Sequence, residues 1–339
     1  MSIPYRTQQG IKRFLIFLLV FAVVAAIVFG CWMLWLHRYV VYDREDGAVL
    51  KFELEPVQSG QLAVPPQESM EVSIYYNEGE NLVQTSKELT KLAGYYVDAN
   101  ALRQDPRAVM EQLKTLPAGT PVMIDVKNIG GYFYYSSTVS ELISIDVDIA
   151  AMDELIEYLD KSGLYTIARL HAFRDREYGR RFTYNGLPVK SGGYLWMDGA
   201  GCYWLNPTRD AVIERLGNLA TELRLLGFDE VCFSYFEFPD TDNIRFDGDK
   251  KTALEDAATK LVQTCATEEF AVSFSTDGTW VPPTGRSRVY VVDADPIDAE
   301  LYAENLGLTG NDINLVFLTS LHDTRFEAYG VLRPISTAG

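Results

Sequence analysis

Glu230-Val-Cys-Phe-Ser-Tyr-Phe-Glu237 places two carboxyl groups, a thiol and a hydroxyl within eight residues, after an amphipathic run and just before Pro239. Side chains of an extended chain alternate between faces. Glu230, Cys232 and Ser234 therefore share a small polar face, and Val231, Phe233 and Tyr235 a bulky apolar one. In a β/α barrel the apolar face would pack on surrounding helices, while the polar face would climb the interior toward the C-terminal mouth, where such folds keep their chemistry. At the top stands Ser234, a hydroxyl that stays neutral at pH 7, where an acid would be expected. Glu237 could be the displaced acid, although parity turns it away from Ser234 unless the strand ends or bulges first. Glu230 lies deeper and reads as a hydrogen-bonded core carboxylate, because a buried charge must find partners.

Further groups accompany this stretch. Asp125 and Lys127 share one face of a second apolar segment, and Arg169 and His171 share one face of a third. If both faces point inward, an Asp–Lys/Arg network fills the lower mouth. It would serve either as a satisfied polar core or as planar, charged donors to sugar hydroxyls. Residues 174–204 form a long connection carrying Tyr184, Tyr194, Trp196, Tyr203 and Trp204. Connections of that length are commonly functional, and aromatic faces pack well on the apolar faces of pyranose rings. Tyr132-Phe-Tyr-Tyr135 would line the opposite wall. Cleavage of a glycosidic bond needs two carboxyl groups, about 5–5.5 Å apart for retention and about 6.5–9.5 Å for inversion. An esterase relay of Ser234, His171 or His322, and Asp175 is the competing chemistry, but no G-x-S-x-G elbow surrounds the serine.

A strand–helix alternation positions these groups. Strands are expected over 93–97, 121–126, 165–170, 229–235, 270–274, 289–292 and 313–318, with a weak eighth over 328–332. Helices are expected over 106–116, 149–161, 209–226, 252–264 and 297–305. Asp105-Pro106 is a helix start, and Gly163 and Gly227 are helix stops. The alternation predicts a parallel sheet. Seven or eight strands without a Gly-rich phosphate loop favour an imperfect (β/α)8 TIM-type barrel over an open sheet. The helix between strands five and six is missing, with Trp280-Val-Pro-Pro-Thr-Gly285 in its place, and the last helix is absent or very short.

Residues 14–36 are an unbroken run of 23 uncharged apolar residues. As a helix it would span ~35 Å, enough for a bilayer core of roughly 30 Å. Arg6, Lys12 and Arg13 precede it, so the positive-inside bias puts residues 1–13 in the cytoplasm and the bulk of the chain outside. Residues 37–90 then form a juxtamembrane segment and linker, and 91–339 the barrel. All 47 acidic residues and all but four of the 30 Lys and Arg lie beyond residue 38, and the net charge is −17. Such a surface repels nucleic acid and suits neutral glycans. Cys31, Cys202, Cys232 and Cys265 form no CxxC pair and read as buried thiols. No metal motif or cofactor fingerprint is present.

At five places the chain resembles DUF4015, a glycoside hydrolase domain family of membrane-anchored or secreted proteins of Gram-positive bacteria. Gly94-Tyr-Tyr-Val97 is similar to its first strand, and Ile124-Asp-Val-Lys-Asn128 with Gly131 and Tyr135-Ser136 to its IDVKD…G…Y-S block. Tyr165-Thr-Ile-Ala-Arg169 with Phe173-Arg-Asp175 resembles its third strand and turn. Trp196-Met-Asp198 and Trp204-Leu-Asn-Pro207 resemble its W-x-D…W-x-NP pair, which adds Asp198 and Asn206 to the candidates. Gly227-Phe-Asp-Glu230 and Phe233-Ser-Tyr-Phe-Glu-Phe-Pro239 resemble GFDEIQFDYIRFP. The resemblance implies a (β/α)8 barrel related to amylase-like hydrolases, whose fourth strand ends in a nucleophilic Asp. Here that Asp is Ser234 and the following Arg is Glu237. The S-A-D of the fifth strand has no clean match, and Asp277 is displaced from it by two positions.

The expectation is a membrane-anchored, extracytoplasmic barrel that binds, and with Asp125, Asp175, Asp198, Glu237 or Asp277 supplying the acids hydrolyses, a polysaccharide. Lys127, Arg169, His171, Trp196, Trp204, Asn206 and Ser234 would contact the sugar. The alternative is an inactive barrel kept for glycan binding or envelope interactions.

Overall fold

The computed structural model describes residues 40–43, 47–50, 89–309 and 312–335. The expected membrane helix over 14–36 and most of the linker lie outside the described residues, among which no helix is long and apolar enough to cross a membrane. The chain divides into two units, Met1–Leu82 and Val83–Gly339. Within the first, Val40–Asp43 and Gly47–Leu50 pair antiparallel.

The second unit is a closed barrel of eight parallel strands: β1 Ala93–Val97, β2 Pro121–Lys127, β3 Tyr165–His171, β4 Glu230–Ser234, β5 Ala271–Ser275, β6 Val289–Val292, β7 Leu315–Leu318 and β8 Gly330–Pro334. β8 closes on β1, with Val331 beside Ala93. The eighth segment thus forms a full stave. The connecting helices are α1 Ala99–Gln104, α2 Pro106–Leu113, α3 Ile149–Lys161, α4 Arg176–Arg181, α5 Asp210–Leu225, α6 Lys250–Cys265, α7 Ala299–Asn305 and α8 Thr324–Glu327. Among the described residues no helix joins β5 to β6, and the last helix is four residues long, as the sequence suggested. Two short helices, α1 and α4, were not anticipated. Each spans only six residues, too few to show a helical period.

The period-2 pattern of the strands becomes two cores. Val122, Ile124, Ala168, Leu170, Val231, Phe233, Val272 and Phe274 face outward into the helix layer. Met123, Ile167, Cys232, Tyr290, Val316 and Leu332 fill the interior. Burying each large side chain contributes roughly 1.5–3 kcal/mol. Much of the acidic excess has a structural use. Asp98, Asp105, Asp148, Asp175, Asp249 and Asp323 each accept backbone N–H bonds at a helix start, satisfying donors that a helix leaves unpaired. Cys202, Cys232 and Cys265 are buried free thiols.

Candidate active site

The barrel interior is built in tiers. At the base Glu230, fully buried, accepts from Tyr165 Oη (2.8 Å), Tyr290 Oη (2.7 Å) and Arg288 Nη1 (2.5 Å). It is the satisfied core carboxylate expected of it. One tier up, Asp125 holds Arg169 in a two-point pair, Nε to Oδ1 at 2.5 Å and Nη2 to Oδ2 at 2.9 Å. Above this the C-terminal ends of β3, β4, β5 and β6 surround a cleft of about 510 Å³, lined among others by Arg169, His171, Ser234, Glu237 and Asp277.

The top of β4 decides the chemistry. The strand ends at Ser234, and Tyr235 takes a left-handed φ of 50°. For a non-glycine residue this conformation costs about 1–2 kcal/mol and persists only where its surroundings impose it. The turn resets the alternation. Tyr235 was expected on the apolar face beside Phe233. Instead its ring lies 5.0 Å from that of His171, edge-on to Trp204 at 6.0 Å, with the Arg174 guanidinium 4.9 Å above it. Phe236 then takes the outward position against Phe173, Phe274 and Trp280. Glu237 returns to the mouth.

Glu237 and Asp277 line the same cleft, and both also line a second cleft of about 890 Å³ that opens outward past Phe238 and Lys250. Burial, aided by the negative charge of Asp277 and opposed by Arg174, pushes the Glu237 carboxyl up to about 7. Two carboxyl groups are thus neighbours at the junction of two clefts, one of them able to carry a proton near neutrality. Asp277 is exposed, and its Oδ1 accepts from Thr279 N (3.0 Å) and Oγ1 (2.6 Å). It lies two residues past the end of β5, on the clefts it shares with Glu237.

The other expected acids have different duties. Asp175 is buried, caps α4 through Tyr178 N (2.9 Å) and pairs with buried Lys127 at 2.9 Å, with Arg215 at 3.7 Å. Burial lowers the Lys127 pKa despite that carboxylate. Neither Lys127 nor Asp175 reaches the mouth. The register irregularity between Asp125 and Lys127 redirects the lysine away from Asp125's tier. Asp125 has both oxygens committed to Arg169. Asp198 organises the 174–204 loop, accepting from Arg174 Nε (2.6 Å), Trp204 Nε1 (3.1 Å) and the N–H groups of Ala200 (2.9 Å) and Cys202 (3.0 Å). Burial acts to raise its pKa, but these hydrogen bonds hold it below the usual range. Asn206 closes a turn onto Thr208 N and Oγ1 ahead of α5.

His171 and Ser234 reach the cleft, but not as a relay. His171 Nδ1 bonds the Lys127 carbonyl at 2.8 Å, and Ser234 Oγ donates to the Leu170 carbonyl at 3.2 Å. Asp175 is held by Lys127, and His322 Nδ1 accepts from Arg333 (3.2 Å). The esterase constellation is therefore not assembled. Burial, with the charges of Lys127, Arg169 and Arg174, keeps His171 well below its ordinary pKa, so the ring is neutral. Trp204 is buried and Trp196 partly so, their rings 6.4 Å apart beneath the loop. Phe133, Tyr134 and Tyr135 do not form a wall of the mouth. All three are buried in the helix-layer core, where Tyr135 Oη donates to Glu222 at 2.6 Å. Arg174 escaped the sequence reading as a site residue. Its signal was its place between Phe173 and Asp175 at the exit of β3.

The described residues form an eight-stranded parallel barrel, with Glu237 and Asp277 lining one cleft at its C-terminal mouth. Residues 94–277 match the DUF4015 family, described as "Putative glycosyl hydrolase domain", and the chain belongs to that family. Among solved structures it is similar to a hypothetical protein from Ruminiclostridium thermocellum (17% identity over 53% of this chain and 96% of that one, TM-score 0.45). It is also similar to the glycoside hydrolase domain of PelA from Pseudomonas aeruginosa (12%, 73% and 95%, TM-score 0.45). A third is the β-N-acetylhexosaminidase of Bacteroides fragilis (8%, 69% of this chain, 50% of that one, TM-score 0.47). No curated protein matches the chain.

Proposed function

We propose that the protein is a glycosidase that cleaves internal bonds of a neutral polysaccharide, with Glu237 as general acid and Asp277 as the partner carboxylate, on a barrel held outside the membrane by residues 14–36. The observation that carries the reading is the Glu237 carboxyl, held near neutrality beside Asp277 where two clefts meet. Below about pH 7 Glu237 holds the proton a departing glycosidic oxygen needs, while Asp277 faces the developing positive charge. Arg169, fixed by Asp125, offers its remaining N–H groups to ring hydroxyls, and neutral His171 offers a ring nitrogen. Cleft space on both sides of the pair accommodates chain on both sides of the scissile bond.

Full-length protein incubated with a panel of neutral polysaccharides is expected to release oligosaccharides early, with a rapid fall in viscosity. Monosaccharide as the sole early product would overturn internal cleavage. Binding without any turnover would instead support the non-hydrolytic reading that Ser234 favours, since the usual strand-four acid is absent. The placement of the barrel has its own test. Tyr184 is 64% exposed, so a Tyr184→Cys variant is expected to react with a membrane-impermeant maleimide on intact cells. Labelling only after lysis would put the barrel inside.

A further inference from the structure

The aromatic insertion between β3 and α5 has two sides. Its Trp side, Trp196 and Trp204, turns in toward Tyr235. Its Tyr side forms a separate cleft of about 720 Å³ that shares no lining residue with the two carboxylate clefts. Tyr184 and Tyr194 stand in it 64% and 69% exposed, beside Met197 at 52%. Large side chains so exposed at one place mark a surface built to be covered. The Tyr194 ring lies on bare backbone, because a Cβ at Gly192 would sit 2.7 Å from its Cε1. The isolated bridges Pro188–Leu195, Met197–Tyr203 and Val189–Ile244 tie the cleft's walls to one another and to the segment after β4.

The charge of this cleft is opposite to that of the molecule. Arg180, Arg209 and Arg245 line it, in a chain of net charge −17. Arg180 is engaged by Glu177 at 2.6 Å. Arg209 and Arg245 are exposed and make no ion pair among the described residues. Both also line an adjoining cleft of about 370 Å³, so the two guanidinium groups stand where the clefts join. Arg209 is moreover the N-cap residue of the 16-residue α5, the positive end of that helix dipole. Aromatic faces suit the apolar faces of sugar rings, and guanidinium forks suit carboxylate or phosphate oxygens two at a time. In the acidic field of this protein, an anion is drawn to this place and repelled from most others.

We infer that the cleft between Tyr184, Tyr194, Arg209 and Arg245 is a second, non-catalytic glycan-binding site, selective for saccharides that carry an anionic substituent, carboxylate or phosphate. It would hold such a polymer, or a charged stretch of one, to the barrel while the carboxylate clefts act on neutral bonds. The inference does not depend on turnover.

The test is binding of full-length protein to hexagalacturonate, its fully methyl-esterified form, maltohexaose, and maltohexaose bearing 6-phosphates, measured by calorimetry at low and moderate salt. Wild type is expected to bind at least one of the two acidic probes at least tenfold more tightly than its neutral counterpart, and which one binds tells carboxylate from phosphate. Arg209→Ala/Arg245→Ala is expected to remove that preference, and Tyr184→Ala/Tyr194→Ala to weaken binding at least fivefold at unchanged salt dependence. All four side chains are exposed, so folding is not at stake. Glu237→Gln is expected to leave this binding unchanged, which separates it from the carboxylate clefts. Equal binding of charged and neutral probes, or an acidic-probe affinity insensitive to both double variants, would overturn the inference.

Discussion

Glu237→Gln is expected to lower kcat on an unactivated glycan by about 10²–10⁴-fold, the usual worth of a positioned general acid. The loss should shrink sharply on an aryl glycoside whose leaving group needs no proton. In wild type the activity is expected to fall as pH rises through about 7, where Glu237 gives up the proton. Asp277→Asn removes a negative neighbour that raises that pKa, so any residual activity should show its alkaline limb shifted toward acid. An alkaline limb that stays in place in both variants would exclude Glu237 as the acid. Stability should move the other way. The folded chain holds a proton on Glu237 that an unfolded glutamate, with its ordinary pKa of 4.5, has lost. The neutral carboxyl's stabilising contribution is therefore complete below that value and disappears as pH climbs through about 7. Gln cannot ionise, so the variant is expected to melt higher than wild type above pH 7. The expected gain is on the order of 1–3 kcal/mol, after allowance for partial exposure. A gain in stability with a loss of activity is the signature of a strained functional group rather than of a packing one.

The barrel was legible because its signals are local. Alternating faces marked β2, β3 and β4, Asp105-Pro106 opened α2, Gly163 and Gly227 closed α3 and α5, and the missing helix left its prolines behind. The polar interior of β4 could be read for the same reason, since parity alone puts Glu230 and Ser234 on one face. What parity could not supply was its own interruption. A single left-handed residue, Tyr235, moves its ring over His171 and brings Glu237 back to the mouth. No local pattern announces a positive φ at a tyrosine, because surrounding rings and Arg174 hold it there. Asp175 failed as a site residue for a related reason. Its motif neighbours place it beside the mouth, but a buried lysine from the next strand claims its carboxylate. Pairings of that kind join residues 48 positions apart and leave no trace in spacing. The conformational dependence also explains Asp198. It holds the turn on which Arg174 and Trp204 meet, so its type is demanded by the loop rather than by a reaction.

Arg288→Met is expected to destabilise the barrel by about 3–5 kcal/mol, because it strands Glu230 as a buried carboxylate with only the hydroxyls of Tyr165 and Tyr290 for partners. Both phenols are already held above their ordinary range, first by burial and then by the Glu230 charge, so neither can neutralise it by losing its own proton. Urea unfolding of the full-length protein measures the loss. Glu230→Gln/Arg288→Met removes the stranded charge along with its partner and is expected to recover much of the stability. The coupling between the two sites should then exceed ~1 kcal/mol. A cost below ~1 kcal/mol for Arg288→Met alone would mean that water reaches the base of the barrel. The consequence extends to the other end of the strand. Glu230 faces Ile167 and Ser234 faces His171 in one continuous register, and a slip by one residue would exchange the two faces of β4 throughout. The ion pair at the foot of the strand is the polar contact that such a slip would break first. Val231 and Phe233 in the outer core hold the same register, so the double variant is expected to keep its fold and the alkaline limb near 7, which reports where the chain leaves β4 for Tyr235 and Glu237.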